Sequence, residues 1–195
     1  MSNITLYPGA TVTSTGWAII GSLPSFHTSL ADNSGVSTGA GCGAINRYIE
    51  VKLDDLVNDL SIPDGATITS VQGIMEAGCS DRSQTAVIGC SYRDDSGNVI
   101  NSYTENITVS TTGYNTAYAW TERTTSDGST EWKTLDINNM RLRVTINTPP
   151  SSGTAQIYYL YLYVFYTPTY TSDDNSDIAL KNGLMTLKNG ITVIK

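Results

Sequence analysis

The sequence predicts an all-β fold: an antiparallel β-sandwich, jelly-roll-like, with a short C-terminal β-hairpin appendage. Three observations lead there. At least seven short segments alternate apolar and polar residues, the two-residue period of a half-buried strand. Clusters of Gly, Pro, Asn, Asp and Ser separate them, as turns separate the strands of a sandwich. No long amphipathic helix interrupts the series. Composition agrees. Charged residues are 15% of the 195, against about 25% in ordinary globular domains. Ser and Thr fill about a quarter of the positions. Twelve Tyr stand against two Phe, so the aromatics carry polar tips. A chain of this length buries roughly 70% of its unfolded surface and builds a core without metals or disulfides. Pattern alone fits either a jelly-roll or an immunoglobulin-like strand order.

In chain order, residues 1–15 are small and polar with scattered Ile4, Leu6, Tyr7 and Val12. They read as an N-terminal arm, either an edge strand or an extension reaching a neighbour. The sandwich domain is assigned to 16–168. Ile45 to Leu53 alternates as a half-buried strand, and Leu56, Val57 and Leu60 have the spacing of a short helical turn. Ile62-Pro63-Asp64-Gly65 is a turn, because Pro presets φ and Gly accepts positive φ. Strands follow at Ala66–Glu76, Thr85–Tyr92, Asn98–Thr104, Ile107–Val109 and Met140–Ile146, with Trp132 to Met140 irregular. Ala155–Thr167 is the strongest strand. Ile157, Tyr159, Tyr161, Tyr163 and Phe165 are expected on one face, and Tyr158, Leu160, Leu162, Val164 and Tyr166 on the other. Two apolar faces imply a central strand covered on both sides, or one face at a subunit contact. Residues 169–177 form a polar linker. Residues 178–195 repeat Leu-Lys-Asn-Gly at 180–183 and 187–190, and Asn-Gly is a strong type I′ hairpin signal. Three tiny strands are expected, at 178–181, 184–188 and 191–195. Leu180, Leu184, Leu187, Ile191 and Ile194 also have heptad spacing, but two Gly and two Asn in eleven residues disfavour a helix. A piece this small needs another surface, so these five are the candidate oligomerisation or docking residues.

Chemistry is sparse. The net charge of -7 disfavours nucleic acid and anionic membranes as partners. The start lacks a secretion-signal pattern, and the longest apolar run, 157–166, is far short of a membrane span. The expected place of synthesis is a cytosol. Cys42, Cys79 and Cys90 include no chelating pair and read as reduced, partly buried thiols. Cys79 and Cys90 could also face each other across a hairpin. Asp173 to Asp177 resembles the start of a calcium loop, but Ile178 replaces its glycine, so a solvated linker is the reading. His27 is the one histidine, and no nucleophile motif or phosphate loop accompanies it. The expectation is no enzyme, no cofactor and no metal. Tyr114, Tyr118, Trp120 and Trp132 sit in a polar stretch, where aromatic rings could stack on sugars; the plainer reading is core and loop anchoring.

Several segments carry a resemblance: Gly16-Trp17, Ser61 to Val71, Trp132 before Leu135 to Asn139, Leu142-Arg143-Val144, and the closing strand Ile157 to Pro168. Residues 16–168 resemble a β-sandwich domain recurrent in structural proteins of tailed phages, though 81–129 departs into its own loops. That resemblance implies a non-enzymatic virion protein, a capsid decoration protein or short head fibre. It implies assembly in the host cytoplasm and residence on the virion. The implied partners are copies of itself, as a homotrimer, and the major capsid protein or other virion proteins. The alternative is a carbohydrate-binding adhesin module of a tail or collar, with host-surface glycans as partners.

Overall fold

A computed structural model describes residues 2–31, 39–53, 62, 66–81, 83–110 and 116–168 in full, and the backbone of 178–181, 184–187 and 192–193. Fourteen strands and two short helices are present among these residues: β1 Ser2–Leu6, β2 Pro8–Ser14, β3 Ala18–Ile20, α1 Phe26–Ala31, β4 Gly39–Cys42, β5 Tyr48–Leu53, β6 Thr67–Cys79, β7 Thr85–Arg93, β8 Val99–Ser110, β9 Thr116–Ala119, α2 Thr134–Asn138, β10 Arg141–Thr148, β11 Ala155–Thr167, β12 Ile178–Lys181, β13 Leu184–Leu187 and β14 Thr192–Val193. Two antiparallel sheets form the sandwich. Sheet A runs β3-β4-β11-β6-β9 with β1 also on β11, and sheet B runs β2-β5-β10-β7-β8.

The order is that of a jelly roll, and it follows from one long ribbon. β7 pairs with β8, β6 with β9, β5 with β10 and β4 with β11, so the partners are nested around the turn at Asp94–Asn98. Ile88↔Ile107, Ile74↔Ala119, Val51↔Leu142 and Cys42↔Ala155 each lie nearly equidistant from that tip. Rolling the ribbon brings β11 against β6 and β10 against β7, which closes the two sheets. The jelly-roll alternative therefore holds over the immunoglobulin-like one.

The core lies between the sheets. Ile49, Val51 and Leu53 from β5, Leu142, Val144 and Ile146 from β10, and Leu160, Leu162 and Val164 from β11 are all buried in it. Each set is spaced by two, so sequence alternation maps directly onto burial. β11 is central as expected: β6 flanks one side throughout, while β4 and β1 share the other side at its two ends. α1 packs against β2, β11 and β4 and sends Leu30 into the core.

For the N-terminal residues the edge-strand reading holds: β2 adds to β5 at the edge of sheet B, β1 adds to β11, and the chain switches sheets at Tyr7. Several expectations change. Ile157 leaves the tyrosine face, because a bulge at Tyr158 shifts the register between Ile157 and Tyr159 and restarts the alternation. Ile157 is core; Tyr159, Tyr161, Tyr163 and Phe165 face outward. The two segments expected at 98–104 and 107–109 form one strand, β8, with Asn101 and Ser102 at positive φ near its start. Residues 134–138, read as irregular, make α2, whose first turn has Asp136 accepting from the Lys133 amide at 2.9 Å. The C-terminal segment is three strands, with Leu180 opposite Met185, Leu184 opposite Lys181 and Leu187 opposite Ile178. Ile191 and Ile194, the 54–60 turn, the Pro63-Asp64-Gly65 turn and the 173–177 acidic run lie outside the described residues.

Candidate functional site

Among the described residues no three His, Cys, Asp or Glu converge as metal ligands. Cys42, Cys79 and Cys90 are free and buried. Cys79 and Cys90 belong to different sheets, because β6 and β7 pair on opposite layers, so the hairpin pairing does not occur. Burial pushes the Cys79 and Cys90 thiols upward, away from reactive thiolate. His27 ties α1 to β2: its amide donates to Thr11 Oγ1 at 3.0 Å, and its Nδ1 lies 3.1 Å from that hydroxyl and 3.0 Å from Ser25 Oγ. Through these hydroxyls His27 staples α1 to β2.

The aromatic candidates for sugar stacking are also placed. Trp120 is 1% exposed, its ring filling the space over Gly73, where a Cβ would stand 2.5 Å from it. Trp132 is 3% exposed and donates Nε1–H to the Arg123 carbonyl at 2.8 Å. Tyr118 packs against the core from β9, and its hydroxyl accepts from the Ser110 amide at 3.2 Å. Both indoles are buried, as the core-anchoring reading expects, and Trp132 meets the cleft described below only at its edge. Tyr114 lies outside the described residues. The segment reads as exposed because its neighbours are polar. It crosses β6 by isolated bridges, Val71↔Arg123 and Ile68↔Trp132, and drops its indoles inward.

A cleft of about 390 Å³ lies between the β7–β8 turn and α2. Its carboxylates are engaged: Asp94 accepts from Asn98, Asp95 pairs with Arg141, and Asp136 caps α2. The outward faces of the two sheets are more distinctive. On sheet B, Glu50 is 1% exposed and sits among three guanidiniums. Arg141 Nη1 donates to its Oε1 at 3.1 Å, Arg143 Nε to Oε2 at 2.6 Å, and Arg93 Nε lies 3.9 Å away. Arg143 also stacks on Tyr48 at 4.1 Å, and Lys52 and Arg141 both approach Asp95. Burial, then the neighbouring Arg143, holds the Arg93 guanidinium below its ordinary pKa.

On sheet A the outward face is a stripe of rings, which the sequence reading placed on one face without making it a site. Along β11, Tyr159–Tyr161, Tyr161–Tyr163 and Tyr163–Phe165 centroids are 4.8, 5.1 and 6.1 Å apart. Tyr7, at the sheet switch, flanks the stripe, 5.8 Å from Tyr159 and 6.3 Å from Tyr161. The register sets Glu76 beside Tyr159, Gln72 and Thr5 beside Tyr163, and Asn3 and Ser70 beside Phe165. Desolvation raises the Glu76 carboxyl pKa and is the first cause raising the Tyr159 and Tyr161 phenols.

No protein-family model and no curated protein matches the sequence. Among solved structures, the chain is similar to the C-terminal CBM6 of LamC, a marine laminarinase from Zobellia galactanivorans. Identity is 6% over 84% of this chain and 100% of that one, with a TM-score of 0.45. It is also similar to part of an arabinose-bound GH51 α-L-arabinofuranosidase, at 9% identity and a TM-score of 0.43, covering 78% of this chain and 25% of that chain.

Proposed function

We propose that the chain is a non-enzymatic structural protein of a tailed-phage virion, a capsid decoration protein or short head fibre seated on the capsid surface. The observation that carries this reading is the C-terminal three-stranded sheet, β12-β13-β14. Its strands are four, four and two residues long, which is too little to hold a fold in water without a further surface. The resemblance of residues 16–168 to phage structural domains supports the same reading. The sandwich is the rigid body, and the appendage docks on the capsid or on further copies of the chain as a homotrimer. A carbohydrate-binding adhesin can no longer rest on Trp120 or Trp132. The test compares the full chain with a variant lacking 172–195, each mixed with heads of the encoding phage that lack the protein. The full chain is expected to sediment with heads, and the shortened one to stay folded but bind with lower occupancy or form a smaller oligomer. Equal occupancy together with equal mass by light scattering would overturn the docking role. Failure of the full chain to sediment, with its absence from purified particles, would overturn the virion reading.

A further inference from the structure

We propose that the outward face of sheet A is a binding site for an extended, uncharged glycan chain, laid along β11 over Tyr161, Tyr163 and Phe165 beside Tyr7. The argument begins with shape. The four rings of β11 form a line one strand wide, with neighbouring centroids 4.8 to 6.1 Å apart. That step is comparable with the rise per monosaccharide of an extended polysaccharide. Tyr7 is 37% exposed and flanks the line, 5.8 Å from Tyr159 and 6.3 Å from Tyr161, while Tyr159 itself is 8% exposed, so the accessible rings are Tyr7, Tyr161, Tyr163 and Phe165. Phenol rings offer apolar faces to sugar C–H groups and hydroxyl tips to sugar hydroxyls.

The flanks have matching chemistry. Glu76, Gln72, Thr5 and Asn3 stand beside the rings by register, offering carboxyl, amide and hydroxyl groups. A ligand site of apolar rings with a few placed polar groups is the common form of small-molecule recognition. Charge then selects the ligand. β1, β6 and β11 carry no Lys or Arg, and their one carboxylate is Glu76. Nothing on these strands would neutralise a sulfated or uronic-acid chain, whereas an uncharged one loses nothing by lying there.

An extended peptide fits less well. β1 and β6 occupy both sides of β11 over Leu162–Tyr166, so no free strand edge offers backbone hydrogen bonds beside the rings. A second copy of the chain would meet a narrow line of tyrosines flanked by polar groups rather than the broad apolar centre of a stable protein interface.

The test is affinity electrophoresis of the full chain in gels holding soluble neutral polysaccharides (a glucan, a mannan, a galactan and a xylan), with a sulfated galactan as the charged comparison. At least one neutral polymer is expected to retard the protein, and the sulfated polymer is not. Tyr161→Ala and Tyr163→Ala should each weaken retardation at least tenfold, while Lys52→Ala on the opposite face leaves it unchanged. Should an alanine variant fail to fold, Thr5→Arg keeps every ring and lays a long side chain across the stripe beside Tyr163; it should abolish retardation. The proposal is overturned if no neutral polymer retards the protein, if retardation survives both Tyr163→Ala and Thr5→Arg, or if the sulfated chain binds best. It is equally overturned if these variants instead convert a dimer into monomers by sedimentation equilibrium. Glycan binding and sedimentation with heads are separate readouts, so either reading can fail alone.

Discussion

The outward faces of the two sheets are built on the same alternation and end in opposite states. Sheet B turns Glu50 outward and surrounds it with Arg93, Arg141 and Arg143, so that a carboxylate 1% exposed is satisfied by its own sheet. Sheet A turns Glu76 outward among tyrosines, where desolvation raises its pKa. The inward residues of both are mostly aliphatic, and they share one core. The difference lies in what each face leaves unfinished. A closed charge network needs no partner, whereas a row of rings half-buried at Tyr161, Tyr163 and Phe165 keeps apolar area at the surface, where such area marks contact sites.

The sharpest test of this contrast uses adjacent residues of β11. Leu162 is fully buried between the sheets, and Tyr161 faces outward. Leu162→Asp places a charge in the core at a cost of several kcal/mol, comparable to the whole stability of a domain, and should leave no cooperative urea transition. Tyr161→Asp should stay folded by circular dichroism with a modestly lowered midpoint. If both unfold, the ring stripe is part of the core and the two faces do not differ.

The next largest effect belongs to sheet B. Glu50→Ala leaves three guanidiniums facing one another without their shared acceptor. Removing one partner of a buried ion pair costs about 3–5 kcal/mol, so a large loss of urea stability is expected. A loss below about 1 kcal/mol, the range of exposed pairs, would mean that the network is only surface decoration. Below it stands Gly73→Ala, under sheet A. The added Cβ would stand 2.5 Å from the Trp120 ring, and overpacking of this kind costs about 1–3 kcal/mol. Tyr92 is affected too, since its hydroxyl accepts from the Gly73 amide at 2.8 Å and its ring meets Trp120 edge-on at 5.2 Å. A shift in tryptophan fluorescence should therefore accompany the loss; an unchanged spectrum and midpoint would mean that the indole moves aside freely.

What the sequence made legible was local. The period-two runs at 48–53, 141–146 and 160–164 became buried faces residue by residue, and the Leu-Lys-Asn-Gly repeat became small strands within a residue or two. Pairing order was not legible, because β4 meets β11 across more than a hundred residues and nothing local records it. The bulge at Tyr158 was hidden for a related reason. One extra residue inside an unbroken apolar run leaves no mark on composition, yet it moves Ile157 from the ring face to the core. For Trp120 and Trp132 the polar neighbours left two readings open, and burial agrees with the plainer one, since a crossing segment can bury single indoles while its backbone stays at the rim. The ring stripe was half visible: the alternation of tyrosines was plain, but Tyr7 joins it only because the chain switches sheets there.

The smallest predicted effect returns to Glu76 and has a definite sign. Desolvation raises its folded-state pKa above the unfolded carboxylate value, so as pH rises the unfolded chain gives up this proton first. Its contribution to stability is therefore fully present below the unfolded pKa and is lost as pH rises through the folded one. Between about pH 4 and pH 7 the wild type should lose stability relative to Glu76→Gln, whose amide does not titrate. Urea midpoints at the two ends of that range check this. The variant should match the wild type at the acid end and exceed it slightly at neutral pH. Glu50→Gln should instead lower the midpoint at neutral pH, because the Glu50 carboxylate holds three arginines in place. A lower neutral-pH midpoint for Glu76→Gln would show that ionised Glu76 is stabilised where it stands. The outward face of sheet A would then be closed by its own chain, as that of sheet B is, with no carboxyl left to meet a ligand.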